Sequence, residues 1–372
     1  MNLSPTAATR FFVALLLVAG CSATTHRYPV DTELGFTSVR TTVDSDLAAR
    51  YLLDSGGPRI AALRSRYDAQ ILGNDELRAL AEESSPDFAA VYFVRRILDA
   101  PRHLDSQERF TDSLRLLRDA QPIRIDRADR DAYTFAFVPG LFYERRPENG
   151  AAMARTRAVL RERGFKTFLV PTGELSTVEE GARVLADYLI EARDTKRKII
   201  LTSASKGGAD VAHALGHLLA GTDLSHVCGW VSIGGVLRGT PLADVGLTFP
   251  SSWFLALTGW AHGTSLGLAR DLSTAEGARR SAGYTFPAHL QVLHFVGVPF
   301  SGTVSDSVRG NYNTMVRYGP NDGVTLLPDQ LLPQGHVVLA LGSDHRFQDS
   351  GMDLKTLALA SLIVELVEAA DR

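Results

Sequence analysis

Cysteine is nearly absent. The 372 residues contain two, Cys21 and Cys228, in unrelated settings, so the chain has neither a disulfide framework nor a thiolate metal site. An excess of one charge is also missing: 39 basic residues stand against 42 acidic ones, for a formal net charge of -3. That balance provides no long-range field to draw in a polyanion, and nucleic-acid binding is set aside. The apolar stretch near the N-terminus, Phe11 to Val18, is too short for a permanent membrane span. With 45% hydrophobic residues, the chain is long enough for one large α/β domain and an accessory region.

Chemistry is concentrated in the second half. The run Ile199-Ile200-Leu201-Thr202-Ser203-Ala204-Ser205-Lys206-Gly207-Gly208 is an apolar strand ending in a serine, two glycines and a helical pattern. It reads as a nucleophilic serine on a strand-to-helix turn, whose strained backbone needs small residues two before and two after the nucleophile. Here these are Ser203 and Gly207, so Ser203 replaces the first glycine of G-x-S-x-G. Ser203 is the competing nucleophile, but Ser205 stands two places after it where glycine or alanine is wanted, and the Gly207-Gly208 pair follows Ser205.

The surrounding pattern alternates strands and helices. Strands are expected at Thr167–Val170, Lys198–Thr202, Gly229–Ile233, Leu290–Val296 and His336–Ala340, with helices at Ala151–Arg163, Val178–Ala192, Gly207–Leu219 and Leu354–Ala369. Pro122–Asp126 and Tyr133–Val138 suggest a hairpin leading into a buried strand. Such alternation implies a mostly parallel sheet covered on both faces, with its site at the carboxyl ends of the strands. Before it, residues 22 to about 43 are polar and read as a tether, and residues to about 121 show helical periodicity without a catalytic grouping. Asn74 and the Ser84-Ser85-Pro86-Asp87 run look like helix starts.

From residue 122 to 372 the order of elements and four motifs resemble the α/β-hydrolase fold, nearest to its bacterial lipase and esterase branch. The motifs are the Ser203–Gly208 elbow, Val138-Pro139-Gly140-Leu141, the segment Ile233–Pro241, and Pro320-Asn321-Asp322-Gly323-Val324 followed by Ser343-Asp344-His345. Lipases commonly carry His-Gly where this chain has Pro139-Gly140, a departure that bears on the branch more than on the fold. The resemblance implies a carboxylic ester hydrolase with a catalytic triad in the chain order serine, acid, histidine: Ser205, Asp322 and His345. Asp306 is the runner-up acid, and Asp344 is a decoy, because an adjacent carboxylate seldom curls back onto its neighbour's ring. The backbone amides of Leu141 and Lys206 are implied as the oxyanion hole. The Lys206 ammonium is expected to be solvated at the exposed elbow.

Residues 240–288 form an apolar insertion where this fold places caps or lids, and Phe142, Trp253, Phe254 and Trp260 are candidates to line a substrate pocket. No cofactor and no metal is implied: His213 and His217 have ligand spacing but no third ligand, and read as packing residues. Acyl transfer and thioester or amide cleavage use the same triad. A silent envelope scaffold that binds a protein partner is the rival from another class.

Arg10, the short apolar stretch, and Ala19-Gly20-Cys21 resemble the lipobox of bacterial lipoproteins. The resemblance implies a signal segment over residues 1–21, cleavage before Cys21, and acylation of the Cys21 thiol with palmitate-like chains. Ser22 after it implies release to the outer membrane, so the expected location is the bacterial cell envelope, with a small-molecule or lipid ester as substrate.

Overall fold

The computed structural model describes residues 27–54, 56–67, 72–122, 127–248, 266–349 and 351–372. The expected tether is instead largely a hairpin. Strand β1 (Tyr28–Leu34) pairs antiparallel with β2 (Thr37–Val43), from Tyr28↔Val43 to Leu34↔Thr37. Gly35 and Phe36 form the two-residue turn with φ of 56° and 64°, the twist that closes tight hairpins. Val30, Leu34, Val39 and Val43 are its buried face. The outward Asp31, Glu33, Ser38 and Arg40 make the segment polar on average while leaving a period of two intact.

Helices α1 (Asp46–Leu52), α2 (Pro58–Arg66), α3 (Asn74–Glu83), α4 (Pro86–Leu98) and α5 (Pro101–Arg118) follow. Helix α4 begins at the expected place because Ser85 accepts a hydrogen bond from the Phe88 amide and Pro86 occupies the first turn, where a missing N–H costs nothing. The apolar faces of α1 to α4 merge with the main sheet: Leu52, Leu77, Phe88 and Phe93 share one core with Val296, Val298 and Leu339.

That sheet has six strands, β3 (Tyr133–Val138), β4 (Lys166–Leu169), β5 (Lys198–Ala204), β6 (Val227–Ile233), β7 (Gln291–Val298) and β8 (His336–Leu341), in the order β4-β3-β5-β6-β7-β8. Every pairing is parallel. Because β4 and β5 occupy both edges of β3, the hairpin expected to lead into β3 does not form. Residues Arg127–Ala132 make a short helix, α6, while residues 123–126 of the expected partner strand lie outside the described residues.

The remaining helices are α7 (Ala154–Glu162), α8 (Val178–Glu191), α9 (Lys206–His213), α10 (Pro241–Leu247), α11 (Leu266–Asp271), α12 (Thr274–Ser281), α13 (Asp306–Met315) and α14 (Met352–Ala370). Alternation along β7 divides the layers: Leu293 and Phe295 face a core with Phe110 of α5, Val159 of α7 and Ile363 of α14. Val292 faces Leu215 and Trp230 in the core under α8 and α9, and Val296 faces the N-terminal helices. A parallel sheet buried this way leaves its carboxyl ends as the open rim. Helices α10 to α12 fall within residues 240–288, the expected insertion, and Ala243, Leu268 and Leu272 from it pack with Val178 and Ala209. Among the described residues no helix is long and apolar enough to cross a membrane.

Candidate active site

Ser205 sits between β5 and α9 with φ 53° and ψ -124°, a backbone conformation that few side-chain-bearing residues adopt. Three bonds hold it there: its amide donates to the Ile233 carbonyl at 3.1 Å, and its carbonyl accepts from the amides of Gly208 and Val236 at 3.0 Å each. Small neighbours are required. A Cβ on Gly207 would fall 2.4 Å from the Val138 carbonyl oxygen and 2.6 Å from that of Pro139. The serine that replaces the first glycine is tolerated because Ser203 points into the core, where its hydroxyl accepts from Trp230 Nε1 at 2.9 Å. Fully buried and so engaged, Ser203 faces away from solvent, unlike Ser205.

His345, after β8, brings Nε2 to 3.0 Å from Ser205 Oγ. Its Nδ1 lies 2.7 Å from Asp322 Oδ2. Asp322 is fully buried in the turn after α13, where its other oxygen accepts from the Val324 and Thr325 amides at 2.8 Å each. Thr325 in turn donates its hydroxyl to the Gly239 carbonyl at 2.9 Å, tying the acid's turn to the segment after β6. The rival acids are elsewhere. Asp306 is a solvent-facing residue at the start of α13 bonded to Arg309. Asp344 caps its own loop through the Arg346 amide and ties it to the start of α13 through the Ser305 amide.

The chain after β3 passes directly over the serine: a Cβ on Gly140 would lie 3.0 Å from Ser205 Cβ. Gly140 and Phe142 donate their amides to Ala151 and Glu174 carbonyls, and Asn149 Nδ2 donates to the Leu141 carbonyl at 3.1 Å. Among the described residues, the amides of Leu141 and Lys206 have no protein acceptor. Two unengaged N–H groups beside a serine are what a developing oxyanion needs. Phe142 is half-buried with φ 58° and lies under the Arg146 guanidinium, 5.8 Å from the ring centroid. The other pocket candidates, Trp253, Phe254 and Trp260, lie outside the described residues, as does Cys21.

The Lys206 side chain is not at the mouth of the site. It is buried, with Nζ 2.8 Å from both carboxylate oxygens of Asp210 and 3.1 Å from Ser176 Oγ. Position N1 of a helix packed between β3 and α8 directs it inward, and the i,i+4 spacing delivers its counter-ion. Burial lifts the Asp210 carboxyl to about 6 despite Lys206 beside it. The sequence carried the signal in the Lys206…Asp210 spacing. His213 and His217 stack at 4.9 Å, and His213 pairs with Glu179 of α8 at 2.5 Å. Among the described residues no three His, Cys, Asp or Glu side chains group as metal ligands.

No protein-family model matches the chain, and no curated relative does. Solved structures do. A metagenomic carboxyl esterase, MGS0156, is 21% identical and superposes over 67% of this chain and 78% of its own with a TM-score of 0.53. The Bacillus licheniformis lipase BlEst2, in its propeptide form, is 20% identical over 63% of this chain and 52% of its own, with a TM-score of 0.51. At these identities the likeness is one of fold: a parallel six-stranded sheet flanked by helices, the α/β-hydrolase architecture.

Proposed function

We propose that this chain is a serine hydrolase of carboxylic esters working through an acyl-enzyme. The observation that carries the reading is the unbroken relay Ser205–His345–Asp322, at 3.0 and 2.7 Å, at the carboxyl ends of β5, β7 and β8. A serine hydroxyl is a weak nucleophile at neutral pH; its proton passes to His345 Nε2 as Oγ bonds to the ester carbonyl carbon. The carbonyl oxygen, now carrying the negative charge, faces the amides of Leu141 and Lys206. The C–O bond to the alcohol then breaks and the leaving oxygen takes the proton from Nε2, leaving an acyl ester on Ser205. Water repeats the sequence, its proton going to Nε2 and then to Ser205 Oγ as the acid leaves. Asp322 keeps the Nδ1 proton in place and stabilises the imidazolium of each step.

The reading is supported by the two neighbours of the fold, a carboxyl esterase and a lipase. Its test is intact-mass labelling of protein lacking residues 1–21 with a fluorophosphonate. One adduct is expected, absent in Ser205→Ala and strongly slowed in His345→Ala; folded protein that takes up no adduct and hydrolyses no p-nitrophenyl ester is the scaffold reading instead.

The same proposal places the enzyme on a membrane of the bacterial envelope through an acylated Cys21, on the strength of the Ala19-Gly20-Cys21-Ser22 sequence. Expression of the full chain with Cys21→Ser is expected to release it from membranes; a variant that stays bound and is processed normally removes the anchor.

A further inference from the structure

The two candidate oxyanion donors come from different elements, Leu141 from the end of β3 and Lys206 from the start of α9, so something must fix one against the other. One loop touches both. Residues 171–177, between β4 and α8, meet the Lys206–Asp210 pair from one side: Ser176 Oγ accepts from Lys206 Nζ at 3.1 Å and donates to the Thr172 carbonyl at 2.6 Å. From the other side Glu174 holds the chain after Leu141. Its carbonyl accepts from the Phe142 amide at 3.3 Å, and its Oε2 accepts from the Glu144 and Arg145 amides at 3.2 and 2.9 Å.

The charge arrangement excludes a direct role for the ammonium. An ammonium has three N–H donors, and Lys206 Nζ spends them on the two Asp210 oxygens and Ser176, leaving none for a substrate. Room for the pair has been made in α8, where a Cβ on Gly181 would sit 2.5 Å from Asp210 Oδ2. A buried ion pair is weak evidence for stability as such, and its best-attested use is to fix one arrangement among several.

We propose that Lys206, Ser176 and Glu174 are positioning residues, forming a brace that sets the Leu141 amide against the Lys206 amide across the oxyanion position. The inference rests on the reading of Ser205 as an acyl-transferring nucleophile. Misplacing a donor by a fraction of an ångström weakens the transition state more than the bound ester, so the brace acts on kcat and not on KM.

The experiment uses the protein lacking residues 1–21, with Ser176→Ala, Glu174→Ala, their double variant and Glu174→Gln, assayed on a p-nitrophenyl ester together with fluorophosphonate labelling and thermal melts. Ser176→Ala leaves the buried charge pair intact, so it cuts the brace without stranding a charge. Each single alanine variant is expected to lower kcat by about tenfold with KM within about twofold of wild type, Glu174→Ala with Tm nearly unchanged and Ser176→Ala with Tm lower by about a few degrees, the cost of one ammonium N–H left without its acceptor. The double variant should be no worse than the poorer single, because both cut one chain of contacts, and Glu174→Gln, which keeps an acceptor, should recover most of the rate. Single variants with wild-type kcat, a rate loss that only follows a loss of Tm, or independent multiplicative losses in the double variant would each overturn the brace while leaving the hydrolase reading standing. Wild-type protein that neither labels nor turns over fails at the earlier step and takes the brace with it.

Discussion

Asp322 grips His345 twice: the His345 amide donates to the Asp322 carbonyl at 2.9 Å, and the ring Nδ1 meets the carboxylate at 2.7 Å. The main-chain bond positions the loop, whereas the side-chain bond selects the tautomer. Replacing the acid with its amide separates these two effects.

Asp322→Asn is therefore expected to keep the fold and the place of His345 while presenting an N–H or a neutral oxygen to Nδ1. Loss of the useful tautomer should reduce kcat by about 10³-fold or more, with fluorophosphonate labelling slowed in parallel. The steady-state rate on a short-chain ester checks it. Asp344→Asn, which touches two main-chain amides and not the His345 ring, should leave kcat within about tenfold of wild type and so rank the two carboxylates.

Ser203→Ala distinguishes the two serines of the elbow in the opposite sense. The change strands Trp230 Nε1, fully buried and bonded to that hydroxyl, so stability should fall by about 1–3 kcal/mol in urea. The phosphonate adduct should persist in full, because Ser203 faces the core.

Gly207→Ala probes the packing of the turn. The added methyl meets two carbonyl oxygens of the β3 end at 2.4 and 2.6 Å, and neither is a flexible group. Either the elbow or the oxyanion segment must move, so the soluble variant should lose labelling by about 10²-fold or fail to accumulate folded.

How much of this was legible in sequence depends on what each residue had to say about its own surroundings. Buried parallel strands such as Tyr133–Val138, apolar but for Thr134 and with all six residues inside, could be placed without knowing their neighbours. The elbow was legible because its backbone strain demands small residues at fixed offsets. The β1–β2 hairpin was not, since only four apolar residues, Val30 and Leu34 on one strand and Val39 and Val43 on the other, each pair four apart, carry its buried face among Asp, Glu, Arg and Thr. A partner strand for β3 was wrongly inferred because polarity and alternation in a short segment do not specify which edge is free. Lys206 was misplaced for a related reason: residue type says that an ammonium prefers water, but only the direction of α9 says that Asp210 and Ser176 wait inside. The role of Glu174 had little sequence signal, because three of its contacts are to main-chain amides that any residue would supply, and its ion-pair partner, Arg145, lies 29 positions away with nothing in the pattern to link them.

The junction between the N-terminal helices and the sheet predicts a pH dependence. Asp87, at the start of α4, is fully buried and clamps the loop after β7, accepting from the Ser301 amide at 2.9 Å and its hydroxyl at 2.6 Å. Burial, with Asp44 facing it, raises its carboxyl to about 7. Tyr312 from α13 lies on the same cluster and is itself raised well above its ordinary value by burial, with Asp87 and Asp44 adding to the rise and Arg309 only partly opposing it. The sign follows from linkage. Between the ordinary aspartate value near 4 and about 7, the folded chain holds a proton that the unfolded chain has released, so stability contributed by this site falls as pH rises through that window. Other groups work the other way: His103 and His294 are lowered to about 4 by burial, and below pH 6.5 they penalise the folded state. A difference measurement isolates the carboxyl. Asp87→Asn removes the titration while retaining an acceptor for the Ser301 amide, so its stability relative to wild type should improve by on the order of a few kcal/mol between pH 4.5 and pH 8. Urea unfolding of both proteins at the two pH values measures that shift, and parallel curves would mean that Asp87 is ionised in the folded protein throughout.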